Sequence, residues 1–313
     1  MNNAFFRTIL GDVAVEDLGM ILPHEHLFTD LRGPDVNGYA QADPKLVVTT
    51  MLPYLNAAEN AGVTALVECS TIGVGRNIDI LSRLAARTRI RLVAPTGIYK
   101  ESYTPTIYKN KSIDELVEQW TSDLTKGIGD TESKAGFIKI GLSDDGPTPL
   151  EVRNIRAAAQ TSLATGAAIA SHTIGGRAAL EELYILEDEG LDLQKFIWVH
   201  ANSEPDSNFH FIAASQGAYM EFDAVGQPDV DPEVLAEAVL AMVEEGFGDR
   251  VLLSHDAGWF QPGEPGGIPE HGIRGYTALS EEFIPLLKEK GLDDALIQLL
   301  TEENPKRAFA LEL

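Results

Sequence analysis

Four histidines fall at or near the C-terminal ends of short β-rich runs, where side chains from different strands can meet. His24 and His26 form an H-x-H; positions i and i+2 share one face of a strand, so both imidazoles can reach one centre. His172 closes AAIASHT above Ala170 and Ala168, and His200 closes KFIWVHA with Trp198 below it on the same face by simple alternation. Asp256 closes RVLLSHD, with Ser254 and Leu252 on its face. A single buried histidine usually serves structure. Four imidazoles and a carboxylate at one rim instead suit a divalent ion: zinc first, with manganese, cobalt or iron as alternatives. His255 adjoins Asp256 and so points the other way, as a structural residue. His210 lies in a helical stretch and is also structural, whereas His271 sits in a Gly/Pro-rich loop at the mouth.

Lys139 lies inside the run FIKIG, between Ile138 and Ile140, and faces the same interior. An unpaired ammonium there would be costly and would repel a metal ion. Two states resolve this: a lysine paired with an interior carboxylate such as Asp256, or a lysine carboxylated to an anionic carbamate. The second balances charge, because two divalent ions would face the carbamate, Asp256 and a hydroxide.

These residues need a scaffold that brings many strand ends together. Eight runs read as strands: 19–26, 64–70, 91–97, 136–142, 167–173, 195–201, 218–224 and 250–256. Amphipathic helical segments lie between them, several opening on a cap (Asp43-Pro44, Ser112, Asp231-Pro232) and closing on Gly62, Gly127, Gly166 or Gly246. Eight strand-then-helix units predict an α/β (β/α)8 TIM-type barrel, with functional loops at the strand C-termini. A short β-hairpin over 8–15 precedes it, and residues before Arg7 read as a loose end. GVGRN (73–77) and TIGGR (173–177) complete neither a dinucleotide fingerprint nor a P-loop, which argues against a doubly wound sheet.

Composition fits a single domain over 1–313: 44% hydrophobic and 23% charged residues leave ample core. With 48 acidic against 24 basic residues the formal charge is −24, which opposes nucleic acid and anionic membranes. No apolar stretch approaches the roughly 20 residues that span a bilayer, and no signal peptide is evident. The one cysteine, Cys69, cannot form an intrachain disulfide and reads as packing, in keeping with a cytoplasmic protein.

The order of these motifs resembles the phosphotriesterase family of the amidohydrolase superfamily, from about Thr8 to Leu311. TILGDVAVEDLGMILPHEHL is similar to its N-terminal hairpin and first strand, STIGVGRN and APTGIY to the ends of strands 2 and 3, and KAGFIKIG to strand 4. ASHT, WVHA and LLSHDAG resemble strands 5, 6 and 8, and ENPKRAFAL the last helix. The resemblance implies a more buried metal on His24, His26 and Asp256 and a more exposed one on His172 and His200, bridged by carboxylated Lys139. It also implies a hydrolase in which a bridging hydroxide attacks the substrate, Asp256 takes up its proton, and two copies form a homodimer.

Loops rather than fold select the substrate. Many similar members are lactonases, and Tyr99, at the end of strand 3, is placed to contact a lactone ring or its leaving oxygen. Members acting on acyl-homoserine lactones carry a basic residue soon after the strand-7 aspartate, whereas EFDAVGQPDVDPE offers Asp223 and no Arg or Lys. The loop GWFQPGEPGGIPEHGIRGYTAL resembles that of relatives acting on sugar lactones, and it supplies Trp259 and Arg274 as substrate contacts. Arg274 is the expected anion clamp; Lys100 and Arg177 read as solvated cations, and Arg76 as a residue that fixes its own loop. The expected activity is therefore opening of a sugar or phosphorylated sugar lactone, with phosphotriester, acyl-homoserine lactone or amide hydrolysis as the alternative.

Overall fold

The computed structural model describes residues 4–312. It is an α/β fold with parallel sheets. β1 (Ala4–Thr8) and β2 (Gly11–Ala14) form an antiparallel hairpin, and β13 (Leu311–Glu312) pairs with the outer edge of β1. Residues 4–6, expected as part of a loose end, are therefore in a paired strand; residues 1–3 lie outside the described chain. The chain then runs through β3 (Met20–Phe28), β4 (Val63–Glu68), β5 (Arg91–Val93), β6 (Pro95–Thr96), β7 (Phe137–Gly141), β8 (Ile169–His172), β9 (Phe196–Val199), β10 (Tyr219–Phe222), β11 (Val251–Leu253) and β12 (Gly258–Phe260).

These strands form two parallel sheets, ordered β12-β3-β4-β5 and β11-β10-β9-β8-β7-β6. All eight expected strand regions are present, the third split into β5 and β6 at Ala94. β12 was not expected. It pairs Gly258 with His26 and Phe260 with Phe28, so the post-Asp256 loop lies directly against the H-x-H strand. Gly258 allows this: at φ 95°, a Cβ there would meet the His26 carbonyl at 1.9 Å.

Helices alternate with the strands, and local sequence explains their ends. Asp43 caps Pro44–Asn60 by accepting from the Lys45 N–H, while Ser112 and Thr148 form reciprocal capping boxes with Glu115 and Glu151. Their apolar faces pack on the outer sides of the sheets with Ile138, Ile140, Ile169 and Trp198. The inner faces carry a separate apolar cluster, including Val67, Cys69, Phe137, Ala170, Ile197 and Leu252, plugged from below by Phe6 and Phe309. Among the described residues no helix is long and apolar enough to cross a membrane.

Alternation fails at two places, and both matter for the site. In β3, Ile21 belongs to the inner cluster and Leu22 to the outer one. A register shift between Leu22 and Glu25 then breaks the pattern, so that His24 and His26, not Pro23 and Glu25, line the inner cavity. On β9, Ile197 and Val199 face inward and Trp198 outward, which corrects the expected position of Trp198 beneath His200. His200 still turns inward because its backbone is left-handed, at φ 63° and ψ 34°.

Candidate metal centre

A cavity of about 150 Å³ opens at the C-terminal ends of the strands and is lined by His24, His26, Lys139, His172, His200 and Asp256. Tyr99, Lys100, Cys69 and Trp259 complete much of its wall. It adjoins a larger cavity of about 660 Å³ bordered by Gln227, Asp229, Gln261, His271 and Arg274. Asp256 and Trp259 line both, so the structure brings all nine expected site residues to one connected region.

All four imidazoles are held by the same nitrogen. His24 Nδ1 lies 3.1 Å from Glu221 Oε2 and 3.0 Å from Asp223 Oδ2. His26 Nδ1 meets Ser70 Oγ at 2.8 Å, His172 Nδ1 meets the Tyr99 hydroxyl at 3.0 Å, and His200 Nδ1 meets Asp223 Oδ1 at 3.0 Å. With Nδ1 donating to carboxylates at His24 and His200, and to the Ser70 and Tyr99 hydroxyls where these accept, each ring can turn an Nε2 lone pair toward a metal, the arrangement that outer partners impose on metal-binding histidines.

Polar atoms left without partners show where those lone pairs would be used. His172 Nε2 and Lys139 Nζ are buried and make no hydrogen bond. Asp256 Oδ1 lies 3.1 Å from His26 Nε2 and 3.7 Å from His24 Nε2, out of hydrogen-bond alignment with either. Leaving such groups desolvated costs about 1–3 kcal/mol each, so a cation here would relieve the nitrogen and the carboxylate oxygen. Donor atoms of His24, His200 and Asp256 lie within 4.8 Å of one another, as do those of His24, Glu221 and Asp223. The first group borders the cavity; the second is buried and holds His24 from behind.

This corrects the expected carboxylated Lys139 bridge. The converging donor groups consist of histidine, aspartate and glutamate, and Lys139 is in neither. Lys139 is 2% exposed and its buried amine ends without a partner, so the paired-lysine alternative is not realised either.

Electrostatics divides the donors. Burial lowers the His24 imidazole, but Cys69 and the Asp223 hydrogen bond outweigh it and raise the ring well above an ordinary histidine, so a metal must displace its proton. The other groups are already in useful states. Burial pushes the Asp256 carboxyl up, but the facing His26 and His24 outweigh it and hold the group well below the usual carboxylate range. Burial likewise raises Asp223, and His200 and His24 more than reverse it. Burial, reinforced by His200, lowers His172 well below an ordinary histidine, leaving a neutral imidazole at neutral pH. The Tyr99 phenol is pushed far up by burial and stays protonated.

Backbone strain gathers at the same place. Among the described residues only four non-glycine residues have positive φ, and three are His200 (63°), Asp256 (48°) and Trp259 (76°). Each costs about 1–2 kcal/mol, and such outliers concentrate at functional sites.

Other expectations hold in detail. His255 points away, giving Nδ1 to Glu25 and accepting the Leu279 N–H at Nε2, and His210 bonds the Ala201 carbonyl. Arg76 ties its loop to Pro95 O and Asp123. Arg274 borders the large cavity, but its Nη2 is engaged by the carbonyls of His255 and Asp256. Lys100, expected as a solvated cation, instead lines the metal cavity and pairs with Asp144 at 3.1 Å.

The residues that sequence reasoning passed over are the carboxylates behind the rings: Glu221, Asp223 as a histidine partner, Glu25 and Glu68. Acidic residues two apart within the apolar run YMEFDA were the available signal. Asp223→Asn tests their role. An amide offers one acceptor oxygen where Asp223 now serves His24, His200 Nδ1 and the His200 N–H. Metal affinity is expected to fall about 10–100-fold. Measured as metal retained after dialysis against a graded chelator, unchanged retention would show that Asp223 does not orient the rings.

Comparison with known proteins agrees with this geometry. The family model described as "Phosphotriesterase family" matches residues 4–309. An aryldialkylphosphatase of Saccharolobus solfataricus is 30% identical, covering 96% of this chain and 99% of its own. A phospho-furanose lactonase of Mycoplasmopsis synoviae is 27% identical, covering 100% and 93%. Among solved structures, a mutant of a PTE-like lactonase from Deinococcus radiodurans superposes with a TM-score of 0.89 at 28% identity, covering 97% of this chain and 99% of that one.

Proposed function

This chain belongs to the phosphotriesterase family and is a metal-dependent hydrolase of ester bonds whose site can take two ions, and from that premise we propose that it opens the lactone ring of a sugar or a phosphorylated sugar. The observation that carries the reading is the shared orientation of four imidazoles, each held at Nδ1. In this reading the two sheets are one closed (β/α)8 barrel forming a single domain. The hydrogen bonds from Asp256 N–H to His24 O and from His24 N–H to Ser254 Oγ, which tie β3 to the chain after β11, support that closure. The lone buried cysteine fits a cytoplasmic setting.

His24, His26 and Asp256 would hold one ion, and His172 and His200 the other. Bound there, the ions supply water of lowered pKa and polarisation of an ester carbonyl. The chain's own residues do the rest. Asp256, kept ionised by its histidine neighbours, accepts the proton released as water is added. For His172 Nε2 to serve as a ligand, Nδ1 must carry the ring proton and donate it to Tyr99. The Tyr99 hydroxyl hydrogen is then free to approach the leaving oxygen of the ring. Trp259 offers a ring face, and the guanidinium nitrogens of Arg274 not bonded to carbonyls face an anionic or hydroxyl-rich substituent.

The large cavity combines apolar walls from Pro228, Trp259 and Pro269 with polar groups that support a polar substrate. Two glutamines, Asp229, His271 and Arg274 border it, whereas aryl and alkyl phosphotriester groups would gain most from apolar walls. The relative named as a phospho-furanose lactonase supports the same choice, and the one named as an aryldialkylphosphatase supports the phosphorus alternative. A pH-indicator screen of metal-loaded protein decides between them, with neutral sugar lactones, phosphorylated sugar lactones, acyl-homoserine lactones and one phosphotriester as substrates. Sugar lactones are expected to turn over at least about tenfold better in kcat/KM. Efficient turnover of the phosphotriester or the acyl-homoserine lactone alone would overturn the substrate reading and leave the metal centre standing.

A further inference from the structure

We propose that Glu25, with Arg274 opposite it, is a positioning clip that holds the strained backbone of Asp256 in register with His24 and His26; the inference rests on the metal-centre reading above. Glu25 is fully buried between the two histidines of β3, yet it does not line the cavity. Its carboxylate reaches across to the chain after β11. One oxygen accepts the His255 N–H at 3.1 Å, and the other accepts the Ala257 N–H at 2.9 Å. The two peptide donors that flank Asp256 therefore end on one side chain.

The remaining backbone groups around Asp256 are held as well. Its own N–H donates to His24 O at 3.2 Å, and the Ala257 carbonyl accepts the His26 N–H at 2.9 Å. From the other side, Arg274 donates to the carbonyls of His255 and Asp256, and Trp259 Nε1 donates to Asp256 O at 3.1 Å. Glu25 thus grips the N–H side of a left-handed residue and Arg274 the C=O side. Each ties Asp256 to the H-x-H strand or to the substrate loop.

The chemistry at this position requires a carboxylate. His255 Nε2 accepts the Leu279 N–H, which places the ring proton on Nδ1, where it is donated to Glu25. Two backbone N–H groups and this imidazole N–H all point at the Glu25 oxygens, and Ser254 Oγ lies 2.8 Å from one of them. Glutamine would fit the space but would turn an NH2 group toward an N–H donor, releasing one side of Asp256 while the volume stays filled.

Cobalt(II) is the probe, because its visible absorption reports ligand geometry without any substrate. Glu25→Gln is expected to keep the wild-type circular dichroism, bind cobalt about 10–100-fold more weakly and show a changed d–d spectrum. Arg274→Ala, at a partly exposed site, is expected to alter the spectrum in the same sense. A folded Glu25→Gln protein with wild-type cobalt affinity and spectrum overturns the clip. If that variant does not fold, Arg274→Ala decides: a wild-type spectrum overturns the proposal and a changed one supports it. Wild-type protein that takes up no cobalt overturns both the metal centre and the clip, whereas cobalt uptake without lactone hydrolysis removes only the substrate reading.

Discussion

Asp256→Asn should fold normally and lose about 10²- to 10⁴-fold in kcat/KM toward every ester the wild type hydrolyses. The change keeps side-chain shape, so steric disruption is small. It removes the negative charge that faces His26 Nε2 at 3.1 Å and His24 Nε2 at 3.7 Å, and with it the group able to take a proton from water. Two consequences can be separated. Loss of an anionic donor weakens metal binding, which saturating metal in the assay corrects; loss of the base persists at saturation and appears in kcat. Steady-state kinetics with excess zinc, alongside metal content after gel filtration, checks both. A variant that retains wild-type kcat under those conditions would remove Asp256 from the chemistry and favour a barrel that binds metal without catalysis.

The second large effect concerns stability. Glu182 lies on the helix Gly176–Asp188, fully buried behind β8, with Oε2 accepting from Thr173 Oγ1 at 2.9 Å and Oε1 unpartnered. Burial pushes its carboxyl from 4.5 up to about 8, against the smaller opposing pull of Ser171 and Thr173. The folded state therefore holds a proton that the unfolded chain releases above pH 4.5. Where the native state binds more protons, stability falls as pH rises. The loss from this group starts near pH 4.5 and is complete above pH 8, and by pH 7 it is of order 3 kcal/mol. Glu182→Gln cannot ionise. Its unfolding free energy, measured in urea between pH 5 and 8.5, should decline less steeply than that of the wild type, with the gap in its favour widening as pH rises. Parallel curves would show that Glu182 is not protonated in the native protein.

Behind both predictions lies a division of labour between local and long-range information. The strand-and-helix order was legible from the sequence because each unit writes its own period, cap and stop. Ser112 with Glu115, and Thr148 with Glu151, mark helix starts through contacts only three residues apart. The residue types of the cavity were legible too, since His24 and His26 on β3, His172 and His200 at or just past the ends of β8 and β9, and Asp256 just after β11 all line it. Lys139 was correctly placed in the interior, and yet its chemical state was not written in its neighbours.

Tertiary structure alone decided how the rings are aimed. Period-two alternation would have faced Glu25 inward and put Trp198 beneath His200. The register shift in β3, which falls at Pro23 where the ladder lacks an N–H, and the left-handed backbone at His200 reverse both. The carboxylates that hold the imidazoles come from strands far away in sequence: Asp223 reaches His24 across 199 positions, and Glu25 reaches His255 across 230. Strain at His200, Asp256 and Trp259 is stable only because such contacts over-determine it. Residue type and order are properties of short segments, so the sequence by itself determined which groups gather at the rim. Orientation is set by hydrogen bonds between segments distant in sequence, and these exist only once the sheets have assembled.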